Sequence, residues 1–212
     1  MENASKALMF AGTILITLMV ISAVVFMYRD LTSVKRQESE NQKVEEIAEF
    51  NKSFESYEKD LKGAQIFSLA NKITDYNTKY VQNMDEGYEA ITLNVKVGSE
   101  IKNAQDYTNL QTSVDTIMNT YQSSNYLEAL HDAYEKQSDT GATQQEKEKA
   151  STTIDEIKKK IGSAADRNNK ETIYSNFKTY NEYKAIKNKT FKSEGVTYYS
   201  NGRIQSMTYT QK

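Results

Sequence analysis

Chemistry at a protein site needs side chains that ionise, ligate or attack, and this chain of 212 residues is short of them. It has no cysteine, so no thiol nucleophile, disulfide or thiolate metal site can form. Its one histidine, His131, sits in LEALHDAYEK, a helical stretch. A site using several imidazoles is excluded, and a Ser-His-Asp arrangement would have to use that ring. A surface or partly packed helix histidine is the simpler reading. The eight glycines are scattered and form neither a phosphate-binding loop nor a dinucleotide fingerprint. The 29 Asp and Glu leave a two-carboxylate hydrolase formally open, but no spacing nominates a pair. Solvated helix faces account for them equally well. No catalytic, cofactor-binding or metal-binding residue is nominated, and no cofactor is expected.

What the sequence does carry is a membrane element. Ala7 to Tyr28, ALMFAGTILITLMVISAVVFMY, contains no Asp, Glu, Lys, Arg, Asn, Gln or His. A helix of about 20 apolar residues crosses a bilayer core at about 1.5 Å per residue. Thr13, Thr17 and Ser22 do not disqualify it, because a hydroxyl can bond to its own helix backbone. A cleaved signal peptide is the competing reading, with Ile21-Ser22-Ala23 as the cleavage site. The apolar run continues past that point through Met27, beyond the usual core of about 7–15 residues. A retained anchor is therefore expected. Ala7, Ala11 and Gly12 would let helices approach closely in lipid.

Beyond the anchor, Val44, Ile47, Phe50, Phe54, Tyr57 and Leu61 recur at helical spacing on a charged segment. That predicts a stem over 29–62, continuous with the anchor over 1–28. A polar α+β domain is expected over 63–212. Its first helix fits Ala64 to Tyr80, although Asn77 falls awkwardly near the apolar face. Ile91, Leu93, Val95 and Val97 alternate with polar residues and predict a half-buried strand ending at Gly98. A helical elaboration follows over about 106–161, marked by Val114, Ile117 and Tyr121, by Leu127 and Leu130, and by Ile154, Ile157 and Ile161. Ile173, Phe177 and Tyr180 mark a further helix.

Asn201-Gly202 lies between two runs of branched and aromatic residues. It predicts a C-terminal hairpin over about 190–210 with a two-residue type I′ turn. Tyr199 would face Ile204, and Tyr198 would face Gln205. The hairpin should join the earlier strand in a small antiparallel sheet. The expected fold class is α+β: a long N-terminal transmembrane helix and stem, with a helix-rich domain carrying that sheet.

The apolar stretch Leu8 to Met27, its helical continuation and the strands Val196 to Tyr199 and Arg203 to Tyr209 together resemble pilin-like proteins. The opening ENASKALMFAG is also similar to N-terminally anchored surface proteins of low-GC Gram-positive bacteria. The resemblance implies an N-terminal helix that holds the subunit in the membrane and later forms a filament core. The chain departs from type IV pilins at both diagnostic points. Gly12 is not preceded by a basic residue, and no Glu follows it within the helix. The resemblance is architectural and carries over no site residue.

Residues 158–212 contain 12 Lys or Arg and four Asp or Glu, whereas residues 1–157 contain 15 basic and 25 acidic residues. Such asymmetry can steer subunits together or be offset within one domain. Arg167 and Arg203 are the only guanidinium groups in the basic part, so nucleic acid is a disfavoured partner. Membrane lipid is the first expected partner, followed by self-assembly or a membrane-protein partner. Arg29, Lys35, Arg36 and Lys43 after the anchor favour a cytoplasmic domain by the positive-inside rule. The short N-terminal flank and the pilin resemblance favour the outside, which is the expected placement. The expected function is a non-enzymatic, membrane-anchored structural or assembly protein, with a surface filament subunit as its specific form. The alternatives are a single-pass accessory or sensor subunit and, behind it, an acidic-site hydrolase.

Overall fold

The computed structural model describes residues 2–81, 88–162 and 169–212. The chain forms two compact units, Met1–Ser53 and Phe54–Lys212.

The first unit is one helix, α1 (Glu2–Lys52), of 51 residues. At about 1.5 Å per residue it extends for roughly 76 Å. The expected stem ran to Lys62, and the helix stops ten residues earlier. The cause is tertiary. Phe54 is buried with the Lys72 ammonium 4.1 Å from its ring centroid. Asp60 accepts the Ser193 backbone N–H at 3.0 Å, and Leu61 pairs with Phe191 as a strand. A helical backbone at Asp60 and Leu61 could not make these contacts, so the apolar spacing there does not produce helix.

The second unit runs β1 (Leu61–Lys62), α2 (Gly63–Tyr76), β2 (Thr92–Val97), β3 (Glu100–Lys102), α3 (Ala104–Tyr121), α4 (Ser124–Ser138), α5 (Gln144–Ile161), α6 (Lys170–Lys187), β4 (Thr190–Tyr198) and β5 (Ile204–Gln211). The sheet is open, in the order β1-β4-β5-β2-β3. Its centre corrects the antiparallel expectation. β2 runs parallel to β5, with Leu93 opposite Met207 and Val95 opposite Tyr209. Parallel neighbours need a crossover connection, and the segment carrying α3 to α6 lies between these two strands.

The hairpin turn also differs from expectation. Gly202 N–H donates to Tyr199 O at 2.9 Å, and Tyr199 N–H donates to Arg203 O at 2.8 Å, giving a three-residue connection. Gly202 takes a φ of 87°, while Asn201 is not in the positive-φ region that a type I′ turn demands. Asn201 instead turns its side-chain oxygen back to the Arg203 N–H at 3.0 Å. Val196 still faces Met207, but the extra residue brings Tyr198, not Tyr199, opposite Ile204.

Two apolar regions hold the unit together. Ile66, Leu69, Ala70 and Ile73 of α2 are buried, as are Leu93, Val95, Met207 and Tyr209 of the sheet. A second cluster joins Ile117 and Tyr121 of α3, Leu127 and Leu130 of α4, Ile154, Ile157 and Ile161 of α5, and Ile173 of α6. Their three- and four-residue spacing is why these segments form helices with one dry stripe each. Asn103, Ser123, Thr143 and Asn169 cap the N-termini of α3 to α6 through side-chain oxygens.

Candidate functional site

His131 is a packing residue. Its ring stacks on Phe177 with centroids 3.8 Å apart and lies 4.8 Å from Tyr174. Its Nδ1 is 3.3 Å from Asp132 Oδ1. The ring belongs to a seam between α4 and α6, where Tyr174 donates to Glu135, Lys170 donates to Ser138 and Lys184 meets Glu128 at 3.4 Å. Desolvation, then the Glu135 carboxylate, push the Tyr174 hydroxyl up to about 12. A depression of about 530 Å³ beside the seam is lined by Asp132, Glu135, Lys136, Ser138 and Asp139. All five come from the end of α4 and its cap. Among the described residues, no group of three or more His, Cys, Asp or Glu could hold a metal ion.

The most distinctive surface is on α1. Fifteen large apolar or aromatic side chains between Leu8 and Tyr28 are each more than half exposed, among them Leu8, Phe10, Leu18 and Phe26. Thr13 and Thr17 donate their hydroxyls to Met9 O and Thr13 O at 2.8 Å, so neither presents an unpaired donor outward. α1 then becomes acidic. Glu38, Glu40, Glu45, Glu46 and Glu49 are all exposed, with Lys43 the one basic residue between them. At about 100° per residue, Glu38, Glu45 and Glu49 lie within about 40° of one another on one face.

The second unit carries the complementary charge at the end of α5. Part of the basic surplus is offset internally by Lys212 on Asp60 at 2.7 Å and Lys184 on Glu128. Lys158, Lys159 and Lys160, in the last turn of α5, have no carboxylate within 4 Å among the described residues. Lys158 lies 5.9 Å from the Tyr134 ring centroid and Lys160 lies 5.7 Å from that of Tyr126. The two rings spread the ammonium groups along α4.

Two polar devices escaped the sequence reading. Asn77, awkward on paper, donates to Ile91 O at 2.8 Å and accepts from Ile91 N–H at 2.9 Å. Its amide thus stands in for a strand partner just ahead of β2. Tyr80 stacks on Tyr88 with centroids 4.7 Å apart, and the Arg203 guanidinium lies 4.7 Å from the Tyr88 centroid. Neither arrangement has a local sequence signal, because the partners meet only in the fold. The acidic stripe on α1 did have one, the i, i+7, i+11 spacing of its glutamates.

The tyrosine-rich composition serves the core in part. Tyr107, Tyr121 and Tyr209 are fully buried. Tyr121 Oη accepts from Asn176 at 3.1 Å, and Tyr209 donates to Tyr57 O. Burial pushes both hydroxyls up. No known family model, curated protein or solved structure matches the chain.

Proposed function

We propose that this is a non-enzymatic, membrane-anchored structural or assembly protein, held by Ala7 to Tyr28 in a bilayer with its second unit on the outer side. The supporting observation is the uncharged, exposed apolar run on α1. Covering a large apolar side chain stabilises by about 1.5–3 kcal/mol, so those 15 side chains represent on the order of 20–40 kcal/mol. Lipid supplies that cover along about 33 Å of helix, slightly more than the hydrocarbon thickness. Tyr28 and Arg29 then stand at one interface and Lys6 at the other.

The specific form we favour is a pilin-like filament subunit, with α1 helices bundling as copies leave the membrane. Electron microscopy of sheared surface material should show filaments that contain the chain. Only dispersed monomers in the membrane would remove this form and leave the anchored reading. An accessory subunit would instead co-purify in fixed ratio with a multi-span protein after gentle solubilisation. Protease added to intact cells should digest the second unit. Protection that persists until the membrane is opened would reverse the topology.

A further inference from the structure

We propose that the lysine-rich end of α5 in one copy docks on the acidic stripe of α1 in a neighbouring copy. The inference deepens the assembly reading and rests on it. Lys158, Lys159 and Lys160 carry three positive charges without a carboxylate partner among the described residues. The segment from Glu38 to Glu49 carries five glutamates and one lysine, a net charge of −4, all exposed. Each patch is a dense run of one sign in its unit, and Lys159, Lys160 and the five glutamates are exposed.

Glu38 to Glu49 lie 10 to 21 residues beyond Tyr28 on the same helix, roughly 15–31 Å at about 1.5 Å per residue. A neighbouring stem, anchored in the same membrane with the same polarity, presents its glutamates above the bilayer in every copy. The contact joins two different patches, so a copy that docks without reciprocation leaves one patch free at each end. Repeated in that way, it builds a chain of subunits. Tyr126 and Tyr134 hold two of the ammonium groups over their rings, which lowers the side-chain entropy lost on docking.

The cysteine-free chain allows a direct test. Full-length copies carrying Glu45→Cys and one tag are co-reconstituted in liposomes with copies carrying Lys159→Cys and another tag. Oxidation should give a disulfide-linked species bearing both tags, and it should fall about tenfold between about 0.05 M and 0.5 M salt. Reversing Lys158 and Lys160 to Glu in the Lys159→Cys copy should abolish it. Reversing Glu38 and Glu49 to Lys in the Glu45→Cys copy as well should restore it. Restoration separates a docking contact from misfolding, which a second set of reversals could not repair. A yield indifferent to salt and to both reversals would overturn the proposal, as would cross-links confined to singly tagged species. Filaments that persist in the lysine-reversed chain would overturn it while sparing the filament reading. Cross-links without filaments would do the opposite.

Discussion

Replacing Gly63 with alanine should destabilise the second unit while leaving the membrane helix untouched. A Cβ built at Gly63 would lie 1.9 Å from Ile186 O, 2.6 Å from Ile186 C and 2.9 Å from Lys187 Cα. These are backbone atoms at the end of α6, so no rotamer change can relieve the clash. Either α2 or the α6–β4 junction must move by about 1.5 Å to restore normal contact. The Gly63 N–H bond to Lys189 O, at 2.8 Å, is strained by the same movement. Overpacking of this kind costs about 1–3 kcal/mol, and a backbone-on-backbone clash belongs at the upper end. Alanine returns up to about 1 kcal/mol through a less flexible unfolded chain. The net loss is then about 2 kcal/mol. For a domain of roughly 150–250 residues that lowers Tm by about 4–8 °C. The assay is thermal melting of the full chain in detergent, followed by circular dichroism. Gly141→Ala is the control, since its Cβ would meet only the Asp139 carboxylate oxygen at 3.4 Å. A Gly63→Ala melt equal to or above that of the parent protein would refute the close-approach argument.

Asn77→Ala leaves both backbone groups of Ile91 without their side-chain partner. It should cost about 2–3 kcal/mol in a urea titration and speed hydrogen exchange at the Ile91 amide. Tyr107 Oη is buried and has no hydrogen-bond partner among the described residues, so Tyr107→Phe should be neutral or stabilising by up to about 1 kcal/mol. A loss of stability would show that the hydroxyl is bonded. The hydrogen bond from Lys212, followed by the Ser193 N–H, holds the Asp60 carboxyl below its usual value. A depressed carboxyl contributes stability above its unfolded pKa of about 3.9, and the contribution fades as pH falls through the lower folded value. Denaturant melts from pH 5 to pH 2 should therefore be less acid-sensitive in Asp60→Asn than in the parent.

Features whose cause is local were legible in the order of the residues. The uncharged run from Ala7 to Tyr28 is long and apolar whatever surrounds it. The stripes through Val114, Ile117 and Tyr121, and through Ile154, Ile157 and Ile161, read as helices because burial recurs with the helical period. Asn201-Gly202 marked a hairpin because glycine tolerates positive φ. Even there the extra turn residue was hidden, since Asn201 chose a hydrogen bond to Arg203 over a left-handed backbone. The absence of cysteine and the single histidine, His131, excluded whole classes of chemistry before any fold was known. The end of α1 at Lys52 was set by long-range packing, because the pull on Asp60 and Leu61 comes from residues 191 and 193. The same holds for the parallel pairing of β2 with β5, for Asn77 serving Ile91 and for Gly63 lying under Ile186. Each depends on partners distant in sequence, and backbone pairing or close approach at that range imposes no period on the residues between them.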